Sequence, residues 1–275
     1  MKKIFILFIS LITLSFSDGY SGGDDCSLGD LVNEEWFEKF IDDLESPGGE
    51  KLAEAFKKNP EIIDSWRDFA AIGKKVGGVP QGHALRKNVD FLEKYNALTD
   101  VQKDGMIKVY KQMSNPSGMK GRVDYTFTKE LKDGRTITLK FDKNGFPEFE
   151  EFVPKPHNKF LYHSNDLGKS TDFAKANEAI AKNLGFEDEF IDGIPIQKTL
   201  DDGTVYDWTP GKNNFTLTKD GVTKKYTWHH HQDGRTLMPV ESNVHSPGEG
   251  GFNHSGGESI IKGGLQEFFP PPNFN

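Results

Sequence analysis

The stretch YTWHHHQDGRTLMPV, residues 226–240, holds two β-prone runs on either side of a Gln-Asp-Gly turn, the pattern of an antiparallel hairpin. His229, His230 and His231 end its first strand, and His245 and His254 follow the second, so 5 of the 8 histidines fall within 26 positions. Imidazole is the commonest nitrogen ligand for divalent metals, and a neutral ring can take a proton from water near neutral pH. A cluster this dense therefore points to a metal or catalytic centre. Side chains alternate along a strand, so His229 and His231 are expected on one face and His230 on the other unless the strand twists or bulges. Trp228 is expected to pack beneath the hairpin.

Working outward, DFAKANEAIAKNLGF (172–186) predicts a helix with Phe173, Ile180 and Leu184 on one face and Gly185 as its C-cap. Residues 186–225 read as irregular strands and turns. Further upstream, RVDYTFTKELKDGRTITLKFDKNGFPEFEEF (122–152) alternates apolar and polar residues about a Lys-Asp-Gly turn, a hairpin continuing toward Phe149. Before the break at Asn115-Pro116-Ser117-Gly118 the pattern is helical. EEWFEKFIDDLE (34–45) sets Trp36, Phe37, Phe40, Ile41 and Leu44 on one apolar stripe, ended by Pro47-Gly48-Gly49. Further helices fit 51–59, 60–75, 84–97 and 100–113. The terminal FFPPPNFN suits only an extended tail.

A chain of 275 residues can bury a sizeable core, and 22 phenylalanines weight that core toward aromatics. Two lysines, an apolar run from Ile4 to Phe16 and small residues at Ser15 and Ser17 form a secretory signal pattern, with cleavage expected after Ser17. The run is shorter than the roughly 20 residues of a membrane span, so no stable membrane insertion is expected after cleavage. No lipobox precedes Cys26, and this lone cysteine cannot form an internal disulfide. The net charge of −8 opposes phosphate binding, yet it is unevenly placed. Residues 18–60 carry 12 acidic and 4 basic side chains, whereas residues 209–265 carry 5 acidic and 6 basic. HExxH, Walker and paired-cysteine patterns are absent from the sequence.

YTWHHHQDGRTLMPV, followed by NVH and NHSGG, resembles the Trp-His-His subgroup of the HNH and endonuclease VII nuclease superfamily, members of which often form the tips of bacterial polymorphic toxins. DKNGFPEFEEF and DFAKANEAIAKNLGF resemble the segments preceding such nuclease tips, so the resemblance spans roughly residues 140–265. It implies an α+β protein: a helical N-terminal region, then a C-terminal ββα-metal (His-Me finger) nuclease module. The divisions expected are a signal peptide at 1–17, a flexible leader at 18–30, a helical region at 31–114, a hairpin-and-helix region at 120–208, the nuclease module at 209–265 and a Pro-rich tail at 266–275.

The resemblance makes His229 a metal ligand and His230 the general base, with His245 and His254 completing the metal and phosphate site. The eight residues SPGEGGFN between His245 and His254 form a longer gap than the family usually shows. His231 is an extra histidine, either a strand residue facing solvent or a ligand. Asn243 is either the middle asparagine of an HNH site or a helix cap. Lys224, Lys225 and Arg235 are candidate phosphate contacts, and Gly256 and Gly257 permit close approach of backbone amides to a phosphate. The implied activity is hydrolysis of nucleic-acid phosphodiesters with a divalent ion, Mg, Zn, Mn or Ni. The implied setting is a secreted antibacterial toxin acting inside a target cell and held in check by a cognate immunity protein. The rival reading is an exported partner- or metal-binding protein with a degenerate module. DNA and RNA remain equally open as substrates.

Overall fold

The computed structural model describes residues 35–75, 85–113, 125–252, 254 and 256–274. The expected signal peptide, the flexible leader and the break at 115–118 lie outside the described residues. The described residues up to Leu98 form one compact unit. Its helices are α1 (Glu35–Glu45), α2 (Gly49–Lys58), α3 (Ile62–Lys75) and α4 (Val89–Asn96). Apolar residues at helical spacing turn inward: Phe40, Leu52, Phe56, Trp66, Phe69, Phe91 and Tyr95 are all buried. Phe40 stacks on Phe56 at 5.4 Å and meets Trp66 edge-on at 5.3 Å. The α1–α2 corner needs glycine, since a Cβ on Gly49 would lie 2.2 Å from the Leu44 carbonyl oxygen. A buried carboxylate must be paired. Asp43 accepts from the Arg86 guanidinium at 2.6 Å and from the Trp66 indole N–H at 3.0 Å.

The second unit runs from Thr99 onward. It opens with α5 (Asp100–Met113), so the helix that sequence grouped with those before it packs here instead. Gly105 of α5 lies so close to Gly263 that a Cβ would meet its backbone at 2.8 Å. Strands β1 (Tyr125–Glu130) and β2 (Thr136–Phe141) form the expected antiparallel hairpin about Gly134. The strand stops at Phe141 rather than running toward Phe149: Asp142 accepts from the backbone N–H of Asn144 and Phe146, both at 2.9 Å, closing a turn. A 3₁₀ turn at Glu150–Phe152, helix α6 (His157–Phe160), strand β3 (Tyr162–His163), helix α7 (Asp172–Leu184) and helix α8 (Glu187–Ile191) follow. Helix α7 ends as expected, on Gly185 in the left-handed conformation at φ 80°.

Residues 196–241 are more regular than sequence suggests. Strands β4 (Ile196–Thr199), β5 (Val205–Trp208), β6 (Asn214–Lys219), β7 (Val222–His230) and β8 (Thr236–Glu241) join β3 in one antiparallel sheet, in the order β3-β8-β7-β6-β5-β4. Lys219 pairs with Val222 across Asp220-Gly221, both at positive φ (52° and 77°), a two-residue turn matched to strand twist. Helices α9 (Ser242–His245) and α10 (Gly257–Lys262) close the chain's ordered elements, with a 3₁₀ turn at Pro247–Glu249 between them. Beyond them residues 270–274 form no helix or strand, and Phe269 is buried against Phe146 at 5.0 Å.

The architecture is α+β, with the sheet between two apolar layers. One layer joins Ile180 and Ala176 of α7 to Tyr226, Trp228 and Leu237. The other joins Leu139 and Phe141 of the β1–β2 hairpin to Met238, Val240, Val244, Phe149 and Phe252. Successive side chains of β7 and β8 therefore serve opposite layers, as the pleat requires. Among the described residues no helix is long and apolar enough to cross a membrane.

Candidate metal and catalytic centre

The last residues of β7 are placed by its pairing with β8, where His229 lies opposite Met238 and His230 opposite Leu237. Tyr226 and Trp228 enter the α7 layer, so His230 points the same way and His229 the other. Trp228 fixes this facing: it is buried, and its indole N–H donates to Asn177 Oδ1 of α7 at 3.0 Å. Asn177 in turn donates to the Lys212 carbonyl at 3.2 Å, so its buried amide is satisfied at both ends.

On the His229 face three rings converge. The ligand-capable atoms of His229, His245 and His254 lie within 4.8 Å of one another. His229 Nδ1 and His245 Nε2 are 3.1 Å apart, close to the roughly 3.3 Å that nitrogens bonded at 2.0–2.1 Å subtend about a tetrahedral ion. His254 Nδ1 donates to the Phe252 carbonyl at 3.0 Å, which leaves its Nε2 with the lone pair a metal takes. His245 Nδ1 is buried without a hydrogen-bond partner. Phe149 touches all three rings, with centroids 4.9–5.6 Å away, and forms an apolar wall of the cluster.

Burial, reinforced by the neighbouring histidines, holds the His229 ring well below the ordinary histidine protonation range. The same two causes bring His245 down to about 3. Both are therefore neutral at pH 7, the form that binds metal. The residues present suit a divalent ion.

The long gap between His245 and His254 closes on itself. Gly251 N–H donates to the Ser246 carbonyl and Phe252 N–H to the Val244 carbonyl, at 2.9 and 2.8 Å. The loop returns through glycine because a Cβ on Gly251 would sit 2.3 Å from Val244 O. Lys129 and Lys132 of the β1–β2 hairpin hold the loop from outside, donating to the carbonyls of Gly251 and Gly248. Extra length thus loops outward and still delivers His254 beside His245.

Residues 218–264 match the model of a family described as a nuclease of the HNH/ENDO VII superfamily with conserved WHH. This segment is a WHH domain. No curated protein matches the chain. The WHH domain begins in β6, holds the β7–β8 hairpin with Trp228, His229 and His230, and ends just past α10. As a nuclease module its substrate is nucleic acid, and its fold supplies the expected C-terminal ββα part of the chain.

The other residues singled out by sequence have different surroundings. His231 does not face solvent: it is 2 % exposed, with Nδ1 accepting from the Asp233 N–H at 3.2 Å and Nε2 lying 3.7 Å from Glu150. The 3₁₀ turn carrying Glu150 covers it. Asn243 donates to Asp133 in the β1–β2 turn. Lys224 pairs with Glu241, Lys225 with Glu249 and Arg235 with Glu267, each at 3.0 Å. Gly256 and Gly257 are needed for packing: a Cβ would meet His230 O at 3.1 Å and His231 O at 1.8 Å, respectively. They let the start of α10 rest directly on the strand end.

Sequence reasoning missed Phe149, Asp172 and Asn177. The latter two are the buried polar residues of α7, and polar side chains among the inward-turned positions of an amphipathic helix were the available signal.

Proposed function

We propose that the chain is a metal-dependent endonuclease, with a divalent ion on His229, His245 and His254 and with His230 as general base. The convergence of three neutral imidazoles within 4.8 Å inside the WHH domain carries this reading. When bound, the ion supplies Lewis-acid stabilisation of the charge that develops on phosphate and leaving oxygen. His229, His245 and His254 hold that position, and Phe149 packs against all three rings. His230, 13 % exposed at its side chain, retains access to solvent and takes the proton of the attacking water. The lysines and arginine beside the hairpin are already paired with carboxylates, so phosphate contact by Lys224, Lys225 or Arg235 requires exchange of those partners.

The signal-like segment before Asp18 and the WHH domain together favour an exported antibacterial toxin that acts inside a target cell and needs a cognate immunity protein. Incubating the purified chain with plasmid DNA and with total tRNA, with divalent ions or EDTA, tests the activity and separates the two substrates. Metal-dependent cutting of either supports the nuclease. A folded chain that binds metal and cuts neither, with Mg, Mn, Zn or Ni, supports the rival binding protein instead.

A further inference from the structure

On the α7 side of the strand, His230 meets a carboxylate from 58 residues earlier in the chain. His230 Nε2 lies 3.4 Å from Asp172 Oδ2, and the Phe173 ring sits 5.4 Å from the imidazole. Asp172 is 1 % exposed, and its Oδ2 also accepts from the backbone N–H of Gly168 at 2.6 Å and of Lys169 at 3.0 Å. Its Oδ1 is buried with no hydrogen-bond partner. Among the described residues His230 is the one side chain within hydrogen-bond or ion-pair distance of Asp172.

We infer that Asp172 is a positioning residue for the catalytic step: it accepts a hydrogen bond from His230 Nε2–H, fixing the ring's orientation and leaving Nδ1 unprotonated to receive the proton of the attacking water. This rests on the nuclease reading above and adds a residue to it.

A carboxylate whose only task was to close the 168–172 turn would be a costly choice, because the turn satisfies Oδ2 but leaves Oδ1 buried without a partner, and buried charge is unfavourable unless it is fully paired. An asparagine or serine closes such a turn without charge. The loop is shaped to present the carboxylate. Gly168 stands at φ +106°, and a Cβ there would meet Ile261 of α10 at 2.7 Å, so the residue beneath α10 must be glycine. Its N–H then reaches Asp172. Carboxylate–histidine pairs of this kind set which ring nitrogen carries the proton, and the second ring nitrogen becomes the base.

Asp172→Asn tests the role in the full chain, because the amide oxygen still accepts from Gly168 and Lys169 while the charge is gone. The expected result is a fall in kcat of about 10- to 100-fold, with KM and metal affinity changed less than about twofold. Added to His230→Ala, the same substitution should cause no further loss, since its effect passes through His230. Unchanged kcat in Asp172→Asn, or losses that multiply in the double variant, would overturn the inference.

A second readout needs no variant and no turnover. Long-range ¹H–¹⁵N correlation on the wild-type chain should show His230 as the Nε2–H tautomer, and an Nδ1–H tautomer contradicts the contact. Wild-type protein that cuts no nucleic acid sinks the nuclease reading and this role with it. Cutting that is lost in His230→Ala but survives in Asp172→Asn sinks the positioning role alone.

Discussion

Lowering the pH should unfold the metal-free second unit through two histidines. His229 and His245 are kept neutral in the folded chain, by burial first and neighbouring histidines second, His245 down to about pH 3. The unfolded chain takes up a proton at each below about pH 6.5, so it binds more protons than the folded chain between that value and the folded one. Stability is therefore complete above pH 6.5 and declines as pH falls through it, by about 1.4 kcal/mol per pH unit for each ring. Between pH 7.5 and pH 5 the loss is about 2 kcal/mol per ring, or about 4 kcal/mol for both, a large fraction of an ordinary domain's stability of roughly 5–15 kcal/mol.

Urea unfolding in EDTA at the two pH values measures this. Asp142 and Glu150 have their protonation raised by burial and titrate with the opposite sign. The quantity to read is therefore the difference between wild type and a His229→Gln/His245→Gln variant, whose amides do not titrate. Equal pH dependence in the two proteins would refute the reasoning, and with it the neutral state of the paired rings.

Three further outcomes follow from packing. Gly257→Ala places a Cβ 1.8 Å from His231 O, so the start of α10 must lift from the strand end, at a cost of about 3 kcal/mol; an unchanged urea midpoint would contradict it. Asn177→Ala leaves the buried Trp228 indole N–H without its acceptor and should cost about 1–3 kcal/mol, read as a lower midpoint, whereas stability equal to wild type would show that the contact positions nothing. Phe149→Ala opens a cavity against all three ligand rings; it should destabilise by about 3–5 kcal/mol and weaken metal affinity measured by calorimetry, and retained affinity would mean that the ring is not part of the support.

Period and spacing made much of this legible. The two-residue alternation at 226–231 assigned His229 and His231 to one face and His230 to the other, because β7 keeps regular pairing with β8 up to His230. The apolar stripes at 35–45 and 172–184 likewise became helices. Local pattern failed where the environment is non-local. Residues 186–225 carry so many turn residues that their strands look irregular one by one, and only pairing among β4, β5, β6 and β7 makes them a sheet. His231 resembles a solvent-facing residue until the distant Glu150 segment covers it. The contact between Asp172 and His230 spans 58 positions, beyond any local periodicity. Gly256 and Gly257, read as phosphate-approaching, lie where backbone meets backbone.

The most direct measurement is metal stoichiometry and affinity by calorimetry, run alongside nucleic-acid cleavage, on the full chain and on His254→Ala. One divalent ion per chain in the wild type, with binding weakened and cleavage lost together in the variant, is the expected result. Cleavage that persists in His254→Ala, or in wild-type protein stripped of metal, would contradict a catalytic centre built on His229, His245 and His254.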